Sequence, residues 1–361
     1  MKSRIKSINP SNLIRCTYGF FLGLIIMFVV VRVFLVNSFD FDNMQRGIHY
    51  LISGINPWAE ETKLAHFYNP PFSVLFLWPM LFTSAKFYIV IGGALLFGFI
   101  FYQRAWVALS WFATNTFLWI VAAGGIDMFV IGSGLLLLLS SDNNKNKWLK
   151  LILRVSAYGL LMVKPQGGLF IVFLYILLRR DWNGLFISVL LYGLPFLSLY
   201  PDWIKAVLSN PHLAQTVASH TIAAKFGFAT GILIAFLLLV FHRWRYWQLG
   251  GVLAASLMPY GMPGLPIFLI LTAVKPLRAI PAIIIYSALL ASMTWINLPP
   301  GLDNSDYGSL LMAIYHISML GLAIILAILS EPSSTDDFIF MPESIRIKVI
   351  GFLHPKNSQK A

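Results

Sequence analysis

The chain is poor in charge and almost devoid of cysteine. Only 11% of its 361 residues are Asp, Glu, Lys or Arg, and its one cysteine is Cys16. Soluble domains carry about 25% charged residues, so a chain this poor in charge cannot cover a water-facing surface, and a soluble enzyme is excluded. One cysteine forms neither an internal disulfide nor a cysteine zinc site. His212, His220 and His316 stand apart, with no HExxH spacing to hold zinc. Without a Walker A run or a GxGxxG loop, nothing supports a nucleotide-driven pump. A GxSxG turn for acyl transfer is also missing, and no zinc finger, RNP motif or basic helix points to nucleic acid. Repeats of 20–50 residues and low-complexity stretches are absent.

What fills the chain is apolar: 58% of the residues are hydrophobic and the mean hydropathy is +0.77. They come in long blocks rather than in alternation, which excludes a membrane β-barrel. A spanning helix needs about 20 apolar residues, fewer inside a bundle. Candidate blocks are 17–36, 72–101, 105–122, 128–140, 149–163, 167–178, 182–199, 226–241, 246–258, 265–274, 280–296 and 310–329. The second is too long for one straight span, and Pro79 and Lys86 are expected to divide it. The fold class expected is all-α, a polytopic transmembrane bundle of about 12 spans. Residues 1–330 form one domain in this reading, and 331–361 a polar cytoplasmic tail.

The net charge of +12 then has a simple cause, because basic residues collect in cytoplasmic loops. With the amino terminus inside, 19 of the 26 Lys and Arg fall on the inner side, Arg154, Arg179 and Arg180 among them. Arg46, Lys63, Lys164, Lys205 and Lys225 fall outside, and Arg32 and Lys86 within spans. The first span is too long for a signal-peptide core and is read as an uncleaved helix.

Two outer loops are long, and the first, 37–71, is the richest in chemistry. Asp40 and Asp42 follow the first span directly. Residues 42–53 suit a short helix on the membrane surface, with Ile48, Leu51 and Ile52 as its apolar stripe, Asp42 as a possible N-cap, and Gly54 and Pro57 as its stop. A carboxylate at the rim of a low-dielectric site makes a general base. Two Asp at this spacing also leave open a shared divalent cation. The loop ends in His66-Phe67-Tyr68-Asn69-Pro70-Pro71, a rigid extended turn. Trp58, Tyr68, Tyr200 and Trp203 are expected in the outer aromatic belt.

Two further spots stand out. Asp127, in Gly124-Gly125-Ile126-Asp127, either caps the next helix or faces the same cavity as Asp40. Lys164, in Lys164-Pro165-Gln166-Gly167-Gly168, lies where basic residues are scarce and needs an anionic partner. It either snorkels or meets a phosphate.

The ordered set is Asp40-Phe41, then Gly54 with Asn56-Pro57-Trp58, Tyr68-Asn69-Pro70-Pro71, Gly124-Gly125-Ile126-Asp127, Lys164-Pro165-Gln166 and Arg179-Arg180-Asp181-Trp182. It resembles the glycosyltransferase C superfamily, and within it the polyprenyl-phosphate-mannose-dependent group filed as family eighty-seven. The resemblance covers about residues 38–182. Asp40 stands 14 positions before Gly54, as that family's catalytic aspartate does. Trp58 replaces the family's tyrosine, and Gly125 its glutamine. By this resemblance a sugar, mannose or another hexose or pentose, passes with inversion from a polyprenyl-phosphate donor to a lipid-linked or cell-envelope acceptor, on the outer face of the plasma membrane. It makes Asp40 the catalytic base and Asp42 accessory, with Lys164, Gln166, Arg46, His66, Tyr68, Asn69 and Asp127 in substrate binding. No organic cofactor and no nucleic-acid partner is implied. The competing reading is a non-enzymatic transporter or lipid flippase, whose inverted repeats are not evident here.

Overall fold

The computed structural model describes residues 10–34, 36–59, 67–209, 221–241, 244–258, 264–274, 279–294 and 306–329. Among these the chain is all-helical. The elements that position the site are α1 (Pro10–Val33), α2 (Phe39–Ile52), α3 (Val74–Leu77) within a helical run Pro71–Phe82, and α4 (Ala85–Gln103). After a 3₁₀ stretch Trp106–Ala113 come α5 (Asn115–Ala123), α6 (Asp127–Asn143), α7 (Lys147–Val163) and α8 (Pro165–Arg179). Then α9 (Trp182–Ser188) runs through a π turn (Val189–Gly193) and a 3₁₀ stretch (Leu194–Leu199) into α10 (Tyr200–Leu208).

Within the described residues each apolar block of the sequence contains helix. Block 72–101 is divided at Thr83 and Ser84, between the helical run and α4. Among the described residues three helical stretches are long and apolar enough to cross a membrane: Ser11–Val33, Ala85–Gln103 and Trp182–Leu208. Trp106–Ala113 and the following helix make a fourth if their 63° bend lies within one span. The first and third have only 22% and 11% of their most apolar windows buried, against 61% for the second. Ala85–Gln103 is therefore the central helix, and the other two lie at the edge.

The packing follows side-chain size. A Cβ on Gly23 of α1 would come within 2.8 Å of Ala94 Cα, and one on Gly93 of α4 within 2.5 Å of Met27 Cγ. Small residues on both partners thus let the backbones approach, the device by which helices associate without a hydrophobic driving force. Thr114 and Asn146 start α5 and α7 as N-caps, their side-chain oxygens accepting from Phe117 N–H and from the N–H groups of Trp148 and Leu149.

Two apolar clusters result. The larger runs through α4, α6, α7, α8 and the helix Tyr246–Leu257, around Trp111, Tyr158 and Phe268. The smaller joins Phe41, Met44 and Ile48 of α2 to Phe67, Phe72, Met80, Tyr88, Ile126, Val130 and Val163. That second cluster draws four separate sequence motifs to one end of the bundle.

Candidate functional site

Helix α2 starts earlier than the sequence suggests. Ser38, in the left-handed region at φ 59°, turns the chain, and helix begins at Phe39. Asp42 is therefore not the N-cap; Asp40 and Asp42 both lie in the first turn, where the helix dipole favours negative charge. The stop is as expected. Ile55 N–H donates to the Tyr50 carbonyl (2.9 Å) and Gly54 N–H to that of Leu51 (3.2 Å), with Gly54 at φ 72°. This is a Schellman closure.

The buried stripe also differs from expectation. Phe41, Met44 and Ile48 are buried, at the three- and four-residue spacing of one helix face, while Ile52 is exposed. Gly47 lies flat against the Phe67 ring, where a Cβ would come within 2.3 Å. Trp58 stacks on that ring, centroids 5.5 Å apart, and donates from Nε1 to the Phe67 carbonyl (2.9 Å). It is buried inside the loop and so is no belt residue. Gln45 Nε2 donates to the Met80 carbonyl (2.9 Å), tying α2 to the Pro71–Phe82 run.

Asp40 and Asp42 do not face each other. Two residues apart on a helix are about 200° apart around its axis. Asp40 is half-buried and Asp42 exposed. Arg46 is exposed as well, with Nε on the Asp42 carbonyl (3.4 Å). His66 lies outside the described residues.

Asn69 serves the backbone. Its Nδ2 donates to the Val163 carbonyl (3.0 Å), one of the acceptors that the end of α7 leaves without an intrahelical donor. The Tyr68 carbonyl accepts from Trp203 Nε1 (3.0 Å). Pro70 is extended and Pro71 opens the next helical turn, so this run plugs the first loop onto the end of α7.

Lys164 joins α7 to α8 with almost no loop. Its carbonyl accepts from Gly167 and Gly168 N–H (3.0 and 3.1 Å), and Pro165 takes the first helical position. At Gly168 a Cβ would sit 2.0 Å from the Leu161 carbonyl oxygen, so only glycine permits so tight a reversal. Lys164 Nζ lies 3.6 Å from Asp127 Oδ2, with side chains 16% and 21% exposed. Asp127 is inside the first turn of α6, after Ile126 as N-cap. Gln166 is half-buried in the first turn of α8.

The start of α2 reaches the same place. Asn37 N–H donates to the Ala122 carbonyl (2.7 Å), and a Cβ on Gly124 would stand 3.0 Å from Ser38 Cα. Helices α2, α6 and α8 therefore bring their N-termini to one corner. The start of a helix carries about half a positive charge, which suits a phosphate or another anion. Asp40, Asp127 and Lys164 belong to that corner, and Asn69 braces it.

Sequence reasoning missed two features. One is a strap: Asn56 Nδ2 donates to Asp202 Oδ2 (2.6 Å), which with the Trp203 bond holds α10 over the first loop. The other is a polar network at the opposite end of α7. There Arg154 pairs with Asp181 (2.9 Å), and Asp181 accepts from Tyr158 OH (2.6 Å). Arg154 Nε donates to Ser141 Oγ (3.0 Å) and Tyr175 OH (3.2 Å), Tyr175 OH donates to Asp142 (2.6 Å), and Arg179 pairs with Asp142 (3.1 Å). Arg154 is no loop residue but sits within α7, 14% exposed beside an Asp181 6% exposed. The readable signal was spacing: Arg154 with Tyr158, and Tyr175 with Arg179, each pair one helical turn apart.

Compared with protein-family models, curated proteins and solved structures, the chain has no significant match.

Proposed function

We propose that the protein is an integral membrane glycosyltransferase that moves a sugar from a polyprenyl-phosphate donor to a lipid-linked or cell-envelope acceptor. In this reading the bundle crosses the plasma membrane about 12 times with its amino terminus inside. The corner formed by α2, α6 and α8 then faces the outside. The observation that carries the proposal is the gathering of three helix N-termini and Lys164 beside the first turn of α2, where Asp40 stands.

The chemistry follows from what lies there. An acceptor hydroxyl oxygen attacks the anomeric carbon while the bond from that carbon to the phosphate oxygen breaks, inverting the centre. Asp40 takes the hydroxyl proton as the new bond forms. The leaving phosphate needs cationic support rather than a proton. Lys164, held by Asp127 across 3.6 Å, supplies it together with the first turns of α6 and α8. Asp42 and Arg46, both exposed on α2, act at the acceptor side. Gln166, Tyr68 and His66 complete the substrate contacts in this reading, while Asn69 positions the end of α7.

The test is transfer of labelled sugar from a polyprenyl-phosphate donor by membranes holding wild type or Asp40→Asn at equal abundance. Loss of about 10²–10⁴-fold is expected, the range for a positioned general base. Full activity in the variant would remove Asp40 from the reaction.

A further inference from the structure

A buried amide on α2 has no part in the packing around it. Asn43 is 5% exposed, and its Nδ2 has no hydrogen-bond partner among the described residues. A buried donor left without an acceptor destabilises a fold, and asparagine is a poor helix former as well. The other buried side chains of α2, Phe41, Met44 and Ile48, join the apolar cluster. An apolar side chain of similar volume would suit that packing better than an amide.

The position of Asn43 on the helix gives its amide a direction. At 100° per residue, Asn43 stands about 60° around the axis from Asp40. Arg46 is about 60° further in the same sense, and Asp42 about 40° beyond that. Asn43 therefore lies between the half-buried Asp40 and the two exposed residues read as acting on the acceptor. Gly47, one turn beyond and between Asp40 and Asn43 in angle, is covered by the Phe67 ring. The first loop thus roofs the side of α2 on which both residues stand.

The chemistry of the two side chains is complementary. Residues three apart on a helix have Cβ atoms about 5–6 Å apart, so both can engage neighbouring hydroxyl groups of one sugar ring. A carboxamide donates through Nδ2 and accepts through Oδ1, which matches a hydroxyl that also does both. It is uncharged too. Lysine or arginine at this position would favour the ionised form of Asp40 and weaken it as a base, whereas asparagine does not.

We infer that Asn43 holds a second hydroxyl of the acceptor, adjacent to the one whose proton Asp40 takes. The inference rests on the reading of Asp40 as the base of a glycosyl transfer. It narrows the acceptor to a sugar ring or another vicinal diol, and sets aside lipids and side chains with a single alcohol.

The experiment follows transfer of labelled sugar from a polyprenyl-phosphate donor to the acceptor present in membranes that hold the full-length protein. Two competitors are added below their micellar concentrations: octyl glucoside, with vicinal hydroxyls, and octyl tetraethylene glycol ether, with a single one. Wild type is expected to be inhibited by the glucoside at a concentration at least about tenfold lower, the scale of one net hydrogen bond. In Asn43→Leu that preference should vanish with the donor KM unchanged. The thermal midpoint should hold or rise, because the variant buries no unpaired amide. Asn43→Ser, which keeps a donor and an acceptor, should show an intermediate preference; one as low as in Asn43→Leu would refute a hydrogen bond as its cause. If Asn43→Leu keeps the preference, the inference fails, and a lowered midpoint beside it would make Asn43 a residue of the fold. Absence of the preference in wild type, with transfer lost in Asp40→Asn, would remove the diol and leave the base standing. Full transfer by Asp40→Asn would overturn both.

Discussion

Asp127 and Lys164 face each other at 3.6 Å, each in or beside the first turn of its helix and both mostly buried. A lysine ammonium there sits where two helix dipoles already disfavour a cation, and Asp127 offsets that cost. The pair is therefore read as a cation held ready for an anion. Lys164→Ala should raise KM for the polyprenyl-phosphate donor by about tenfold or more, the scale of one charged hydrogen bond. Lys164→Arg should recover part of it. Steady-state kinetics over a range of donor concentrations would show this, and an unchanged KM would rule out the phosphate contact.

The two aspartates of α2 should part company in mutagenesis. Asp40 is half-buried next to the corner, whereas Asp42 is exposed and turned about 200° around the helix. Asp42→Asn should keep activity within about tenfold of wild type, while Asp40→Asn loses about 10²–10⁴-fold. Equal losses from the two substitutions would point to a shared role, such as a common cation. Titration with a chelator would then decide the matter.

The strap from Asn56 to Asp202 is a test of how the first loop is held. The bond is charge-assisted and 2.6 Å long, of the kind that contributes about 1.5–3 kcal/mol. Asp202→Ala should speed proteolytic cleavage within the first loop, with a smaller effect on global unfolding. Unaltered cleavage would mean that Trp203, through the Tyr68 carbonyl, holds the loop by itself.

At the far end, Arg154 and Asp181 form a buried pair whose members cannot be removed singly without harm. Arg154→Met should destabilise the protein by about 3–5 kcal/mol, because it leaves Asp181 buried without its charge partner. The double variant Arg154→Met/Asp181→Leu should be more stable than Arg154→Met alone. Thermal unfolding of the full set, read as a double-mutant cycle, measures the coupling; additive losses would refute it.

The helices were legible because burial in a chain this apolar leaves block-like runs that nothing else imitates. Block 149–163 extends to Lys147 at one end and stops at Lys164, where Pro165 must begin a new helix. The start of α2 was not legible. A serine in a left-handed turn, making no side-chain cap bond, leaves no mark in the sequence. The strap was hidden for another reason, since Asn56 and Asp202 are 146 residues apart and each alone is an ordinary loop residue. Asn69 was identified as a site residue, yet its amide holds a backbone carbonyl, and only the geometry separates that role from substrate contact. The partner of Arg154 was not legible either, because charge counting along a sequence does not show that Asp181, 27 residues on, comes to face it.

The polar network around Arg154 has a mechanical consequence. It ties α6, α7 and the entrance to α9 with short polar bonds at one end, whereas at the other end the Lys164–Asp127 ion pair (3.6 Å) adds to apolar packing of Val130 against the end of α7 at Val163. The Arg154 end is thus tied by charged and polar bonds, and the Lys164 end chiefly by apolar contacts. Backbone amides near Tyr158 should exchange with solvent slowly and those of the first turn of α8 quickly.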